Sequence, residues 1–330
     1  MDWVVTALFD INNLDIHLEK SDIYQTLPHT LAVAWSGGLD STALLLLLKQ
    51  KGFNIQAWHI DHAWHEQSAQ DSLMLEQRAK EWGIPFFSKR LPHQHQRNRE
   101  AEARKGRYAA FQNLSATTGI QHLALAHHAD DQVETVCMRM LQGSGVMGLR
   151  GIQAHMSVQS LHIYRPMLHV RKHVIEQCLQ INHIPWLEDC SNADVSLWRN
   201  KIRRHLLPAI EANGVDPYDL WMRWQQQAVR LADDIERGLT EAVIHQEEHG
   251  CWIDFPTWQK LPQPMRVQVI QRMAAITLGV GKVLGRRHMI LIECWRVKGA
   301  HAGLDLSGCR LSRQGEGLHL RVRAAISRLR

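Results

Sequence analysis

The string Ser36-Gly37-Gly38-Leu39-Asp40-Ser41 brings two adjacent glycines, two hydroxyls and a carboxylate into one short stretch. Residues of these types can hold an anion. Glycine lets the backbone approach closely, and free N–H groups at a helix N-terminus add donors and positive dipole. Ser36 and Ser41 supply further hydroxyl donors. The string lacks the Gly-Lys-[Ser/Thr] of a Walker A loop and the third glycine of a dinucleotide fingerprint, so a different phosphate chemistry is indicated. Two adjacent glycines alone read as a plain turn, and Asp40 alone as a helix N-cap. The complete string favours the phosphate site.

A second group of chemical residues lies in Ala126-His127-His128-Ala129-Asp130-Asp131-Gln132-Val133-Glu134-Thr135. His127, Asp130, Asp131 and Glu134 fall at a strand end and the opening of a helix, with Asp130 and Glu134 one turn apart on one face. Carboxylates so placed can bind Mg²⁺, stabilise an ammonium or act as a base; each alone also serves as a helix cap or a favourable first-turn charge. His127-His128 and Asp61-His62 raise the thought of zinc, but 21 histidines make chance neighbours common. Two basic clusters follow: Arg97, Arg99, Arg104, Lys105 and Arg107, on a predicted helix with Tyr108, and Arg199, Lys201, Arg203 and Arg204. Either is a solvated face or a surface that neutralises RNA phosphates, with Tyr108 or Trp198 stacking on an exposed base.

The elements that must position these residues alternate. An apolar run at 31–35 ends at the glycine pair and an apolar helix continues over 42–50, giving strand, tight turn, helix. Strand-like runs at 55–60 and 122–126 are separated by helical stretches near 68–82 and 99–116. Such alternation predicts an α/β domain with a parallel sheet covered on both faces. Ligands then sit at the carboxyl ends of the strands, where Ser36, Asp61 and His127 converge.

The length of 330 residues exceeds one usual core. A boundary is expected near Leu207-Pro208, dividing a domain of 1–210 from one of 211–330 that begins helical. Asp216 can cap a helix starting at Pro217, with Leu220, Trp224, Ala228, Leu231, Ile235, Leu239 and Ala242 as its core-facing stripe. Residues 301–323 alternate around glycines as a terminal hairpin. Hydrophobic residues at 45% and charged residues at 22% are ordinary globular values. The apolar run 43–48 is too short to span a bilayer, and residues 1–10 do not read as a secretory signal, so a cytoplasmic location is expected. The six cysteines stand singly, without the Cys-x-x-Cys of a cluster or zinc site. A net charge of +5 and a pI near 8.9 suit an anionic partner such as RNA.

Ser-Gly-Gly-x-Asp-Ser resembles the pyrophosphatase loop of the N-type ATP pyrophosphatases, or PP-loop proteins, whose members adenylate an oxygen and release pyrophosphate. Ile60-Asp61-His62 and the strings at 104–108, 126–135 and 188–203 fall in the order and spacing of the tRNA(Ile)-lysidine synthetases. The third continues into Gly143-Ser144-Gly145 and Gly148-Leu149-Arg150-Gly151 as in that family. The resemblance covers roughly residues 31–208. It implies a Rossmann-like ATP-pyrophosphatase domain followed by a smaller, mainly helical tRNA-binding domain.

It further implies that ATP is bound by Ser36, Gly37, Gly38, Leu39, Asp40, Ser41, Asp61, His62 and His127, with Mg²⁺ on Asp40 and Asp131. Asp40, Asp130, Asp131, Glu134, Arg199 and Arg203 are the expected catalytic set. Arg104, Arg107, Tyr108, Asn200, Lys201 and Arg204 are the expected tRNA contacts. The implied reaction joins L-lysine to C2 of the wobble cytidine in the CAU anticodon of tRNA(Ile), through an adenylated cytidine. The resemblance leaves open a homodimer and the choice of base. Departures include His65 and Cys190, where arginine and proline are usual, and a chain that ends before the last domain of the longest members. A tRNA thiolase of the same superfamily, or a nucleotide-binding module without turnover, are the rival readings. The lack of paired cysteines argues against the first and the crowded acids against the second.

Overall fold

The computed structural model describes residue 14 and residues 22–63, 67–92, 99–188, 198–239, 244–279 and 282–323. The chain divides into two compact units, Met1–Met138 with Gly151–Trp221, and Arg139–Arg150 with Met222–Arg330.

In the first unit, β1 (Thr30–Ala34), β2 (Asn54–Asp61), β3 (Phe86–Arg90), β4 (His122–Ala124), β5 (His155–Val158) and β6 (Leu161–Tyr164) form one sheet in the order β3-β2-β1-β4-β6-β5. All neighbours are parallel except the edge pair β5–β6. β1 is apolar on both faces because both are covered. Leu31 and Val33 join a core with the Leu39–Gln50 helix, in which Ala43 to Leu48 are all buried, and with Ile175 and Leu179 of the Lys172–Ile181 helix. Ala32 faces the opposite core with Trp58, Phe111 and Leu114, the last two from the Arg99–Thr118 helix.

The expected strands at 31–35, 55–60 and 122–126 are β1, β2 and β4, and the parallel α/β architecture is present. β3 and the β5–β6 hairpin lie outside that expectation. β3 ends in exposed Ser88, Lys89 and Arg90, which carry no strand pattern. The β5–β6 turn uses Gln159 at φ +54° where a glycine or asparagine would have been legible.

The second unit holds β7 (His245–Glu247), β8 (Gly250–Asp254), β9 (Leu304–Leu306), β10 (Cys309–Gln314) and β11 (Gly317–Val322), antiparallel in the order β7-β8-β11-β10-β9. The expected terminal hairpin is β10–β11, and β7, β8 and β9 extend it into a five-stranded sheet beside the expected helices. Cys251, Ile253, Leu318 and Leu320 alternate inward and pack on Val269, Ile270 and Met273 of the Gln263–Leu278 helix and Ile292 and Trp295 of the Arg286–Val297 helix.

The Pro217–Gly238 helix starts as expected, with Asp216 Oδ1 accepting the Tyr218 N–H at 2.8 Å. Its stripe differs from the expected one. Met222, Ala228, Ala232, Ile235 and the following Leu239 are buried, whereas Trp224 and Leu231 are about half exposed. From Ala228 on, both sets step by three or four residues, so periodicity permits either, and core packing chooses. Among the described residues, no helix is long and apolar enough to cross a membrane.

Candidate active site

Strand order reverses direction at β1, whose neighbours are β2 and β4, and the loop leaving β1 opens into the crevice this creates. Gly37 adopts φ +82°, and a Cβ there would lie 2.7 Å from side-chain carbons of both Leu187 and Leu75. Only glycine fits without displacing them. The Gly37 carbonyl accepts the Leu187 N–H at 2.9 Å, and the Thr42 hydroxyl at 3.2 Å. Ser41 Oγ donates to Gly38 O at 3.0 Å and accepts the Ser36 N–H at 3.2 Å; the Gly38 N–H reaches Ser36 Oγ at 3.3 Å. The Leu39–Gln50 helix begins at Gly38 with no side-chain cap. Its first N–H groups and dipole therefore face the crevice.

Opposite the loop, the Ala129–Leu141 helix begins directly after β4. The His128 N–H donates to Asp131 Oδ2 at 3.1 Å and the Asp131 N–H to His128 Nδ1 at 3.3 Å, a reciprocal cap. Nδ1 accepts, so the imidazole proton sits on Nε2, which lies 3.7 Å from Asp40 Oδ2 and 3.6 Å from Asp131 Oδ2. Buried His128 thus bridges the two acids.

Arg199 Nε donates to Glu134 Oε2 at 2.6 Å and its Nη2 to Asp131 Oδ1 at 2.5 Å; Arg203 Nε donates to Glu134 Oε1 at 2.5 Å. Glu134 is 2% exposed, and two guanidiniums balance the cost of burying it. Arg203 lies in the π-helical turn Ile202–Leu206, between the helical stretches Trp198–Lys201 and Leu207–Glu211. Pro208 supplies no N–H to a regular ladder, which accounts for the widened turn.

These groups share a cavity of about 870 Å³. Its wall takes in Ser36, Gly38, Leu39, Asp40 and Ser41 from the loop, then His62, Arg104, Arg107, Tyr108, His127, Asp131, Glu134, Arg199, Asn200 and Arg203. Of the expected site residues, Gly37, Asp61, Asp130, Lys201 and Arg204 are not part of that wall. Asp61 accepts the Ala63 N–H at 2.7 Å and pairs with Arg90. Asp130 accepts the Lys172 N–H at 2.7 Å and lies 3.4 Å from Arg171 Nε, so it caps the Lys172–Ile181 helix. Lys201 and Arg204 are exposed on the helix that carries Arg199 and Arg203. Arg97 falls outside the described residues, as do Cys190 and His65, and nothing of the Arg99 or Trp198 side chain is described.

His128, Lys172, Glu176, Trp186, Leu187 and Glu188 also line the cavity, outside the site residues expected from the sequence. The i, i+3 spacing of His128 and Asp131 at a helix start was a usable signal; the others depend on chain crossings that no local pattern records.

Charge is unevenly settled here. Burial pushes the Asp40 carboxyl above its usual range, against the pull of His128 and Lys172, and its Oδ1 has no hydrogen-bond partner among the described residues. Burial also acts to raise Asp131, but His128, Arg199 and His127 outweigh it and hold the carboxyl below its usual range. His127 is pushed down to about 3, first by burial and then by Arg165, Arg199 and Arg104 against the opposing pull of Asp131. Its Nδ1 is buried without a hydrogen-bond partner among the described residues. Among the described residues, no ready-made cluster of three or more histidine, cysteine or acidic ligands is present.

The sequence pattern of the PP-loop domain family matches residues 13–210, and the tRNA(Ile)-lysidine synthase of Chlamydia pneumoniae is 34% identical over 249 residues, covering 74% of this chain and 77% of the relative. The chain belongs to the tRNA(Ile)-lysidine synthase family of PP-loop proteins. Other family members include those of Chlamydia caviae, 35% identical over 181 residues, and Geobacter sulfurreducens, 31% identical over 265 residues. The matches cover 54% and 76% of this chain, and span 57% and 55% of those relatives' own length. A solved U34-tRNA thiolase from Methanococcus maripaludis has the same fold, with a TM-score of 0.55 at 16% identity over 67% of this chain and 81% of the thiolase.

Proposed function

We propose that the chain ligates L-lysine to C2 of the wobble cytidine in the CAU anticodon of tRNA(Ile), consuming ATP and releasing AMP and pyrophosphate. The observation that carries this reading is the single cavity that joins the phosphate loop to Asp131, Glu134, Arg199 and Arg203, in a chain of this family. Cytidine O2 attacks the α-phosphorus of ATP; a P–O bond forms and the bond to the β-phosphate breaks, so pyrophosphate leaves. The lysine ε-amine then forms a bond to C2, the C2–O bond breaks, AMP departs, and the amine proton passes to an acceptor.

The loop amides and the N-terminus of the Leu39–Gln50 helix supply donors to the phosphates, positioned before reaction. Asp131 and Glu134 hold the lysine ammonium in the cavity, with Arg199 and Arg203 fixing both carboxylates. His127, neutral at working pH, offers a hydrogen bond without adding charge. The orphaned Asp40 Oδ1, beside Asp131, is the donor type that Mg²⁺ prefers. Asp40 and Asp131 would hold the ion, which when bound neutralises charge on the triphosphate. Arg104, Arg107, Asn200, Lys201 and Arg204 are proposed to contact the tRNA, as are residues 211–330. The cytoplasm, where ATP and tRNA reside, is the proposed location.

Incubation with ATP, labelled lysine and a tRNA(Ile) transcript tests this. Lysine-dependent AMP release with label in the RNA is expected. AMP release indifferent to lysine, or no turnover, removes the reading.

A further inference from the structure

Trp224 lies on the Pro217–Gly238 helix, within the second unit, and is 49% exposed. The core side of this stretch is filled without it, by Met222, Ala228 and Ala232. Half of a large indole is therefore in water, where its flat apolar face can meet a partner. Leu231, two turns further on and on the same side, is 53% exposed.

The charges along this helix fall into two groups. Between Asp219 and Asp233 it carries no acid. Towards the C-terminus the charges are matched: Asp233 faces Arg150 at 3.8 Å, Asp234 pairs with Arg237, and Glu236 pairs with Arg272. Arg223 and Arg230, by contrast, are exposed and pair with no acid among the described residues. They stand two turns apart, about 10 Å along the axis, beside Trp224, Leu231 and the exposed Gln227.

Two unmatched guanidiniums call for anionic groups spaced along a chain, and a phosphodiester backbone supplies them. The indole beside them suits a flat base that is not held in a duplex. An acidic protein surface would answer the arginines and leave the indole bare; an apolar one would do the reverse. A polynucleotide answers both with one ligand. We propose that this face binds a single-stranded part of the tRNA, with an unpaired base stacked on Trp224 and neighbouring phosphates on Arg223 and Arg230. This deepens, and rests on, the reading that the chain acts on tRNA. Trp224 is not part of the cavity wall, so its contribution is to RNA affinity rather than to the bonds that form and break.

Equilibrium binding of a tRNA(Ile) transcript to the full chain, without ATP, tests the contact. Trp224→Ala is expected to weaken binding ~10–100-fold, the scale of one base stacked on an aromatic ring. Trp224→Phe keeps a ring and is expected to recover most of that loss, whereas Trp224→Leu, apolar without a π face, recovers little. The double variant Arg223→Gln, Arg230→Gln should make the slope of log K against log[salt] shallower by ~1.4, the counterion release of two single-strand phosphates. Thermal melting, read in parallel, should leave all four variants near wild type. Unchanged affinity in Trp224→Ala overturns the proposal, as does equal recovery by leucine and phenylalanine. A Trp224→Ala protein that binds RNA normally but loses self-association in sedimentation assigns the face to a second copy and overturns it too. Lysine-dependent AMP release from wild type, with RNA affinity indifferent to Trp224, removes the contact and leaves the ligation reading standing. Weakened transcript binding in Trp224→Ala, with no AMP released by wild type, supports the contact and removes the ligation reading.

Discussion

Each unit of this molecule holds a glutamate between two arginines, Glu134 buried and Glu293 partly buried, and the two clusters differ in what surrounds them. In the second unit, Arg266 Nε and Nη2 each lie 2.9 Å from Glu293, Arg296 Nε lies 2.9 Å from the same carboxylate, and Arg266 Nη1 donates to the Leu261 carbonyl. Burial acts to raise Glu293, but the two guanidiniums prevail and hold it below its usual range. That network closes on itself. In the first unit, Glu134, Arg199 and Arg203 run on through Asp131 and His128 to Asp40, a cavity-lining residue whose buried Oδ1 has no hydrogen-bond partner among the described residues. Ion pairs alone therefore do not mark a site. An ion-pair network left open at one end does, because a buried polar atom without a partner is costly unless a ligand completes it.

The sharpest way to test that contrast is Asp40→Asn. ATP cleavage is expected to fall by ~10²–10³-fold, the scale of losing one preorganised electrostatic group. Tm should hold or rise. A folded-state carboxyl pKa above the unfolded value of 3.8 makes stability fall as pH rises through the window between the two, and asparagine removes that fall. Retained cleavage, or a lower Tm at neutral pH, would break the contrast.

Next in size is the pair Arg266→Ala and Arg203→Ala, compared by denaturant unfolding. Arg266 is 9% exposed, and removing it should cost ~3–5 kcal/mol, as for any broken buried pair, while ATP cleavage per folded molecule is unchanged. Arg203→Ala leaves Arg199 on Glu134 as Arg266→Ala leaves Arg296 on Glu293, so it should cost a comparable amount of stability yet lower cleavage far more. Equal cleavage by the two variants would show that the two clusters do not differ in kind.

A smaller effect is expected from Gly37→Ala. A non-glycine residue at φ +82° costs ~1–2 kcal/mol, and displacing Leu187 should raise the KM for ATP. The smallest signal is spectroscopic. His127, held at about 3, should show no NMR titration between pH 5 and 8, and a midpoint near the ordinary histidine value would mean that the cavity is wetter than its walls imply.

The amino-acid sequence determined the local devices. Gly37 after an apolar strand specifies a tight turn because φ +82° is a backbone conformation that glycine adopts readily. His127 to Glu134 specify a capped helix start because acids and short spacings suit its dipole. Asp216-Pro217 specify the entry of the long helix for the same local reason. What the tertiary structure decided is which of those residues meet. Asp130 and Glu134 share one face of a helix in any linear reading, but the crossing of the Lys172–Ile181 helix takes Asp130 as a cap, and Arg199 and Arg203, more than sixty residues away, take Glu134. Trp224 and Leu231 fit a buried stripe as well as Met222 and Ala232 do, and only the core around them selects. The phosphate loop is written in sequence because it is made of neighbours; the open ion-pair chain that faces it is not, because its partners come together only when the sheet closes.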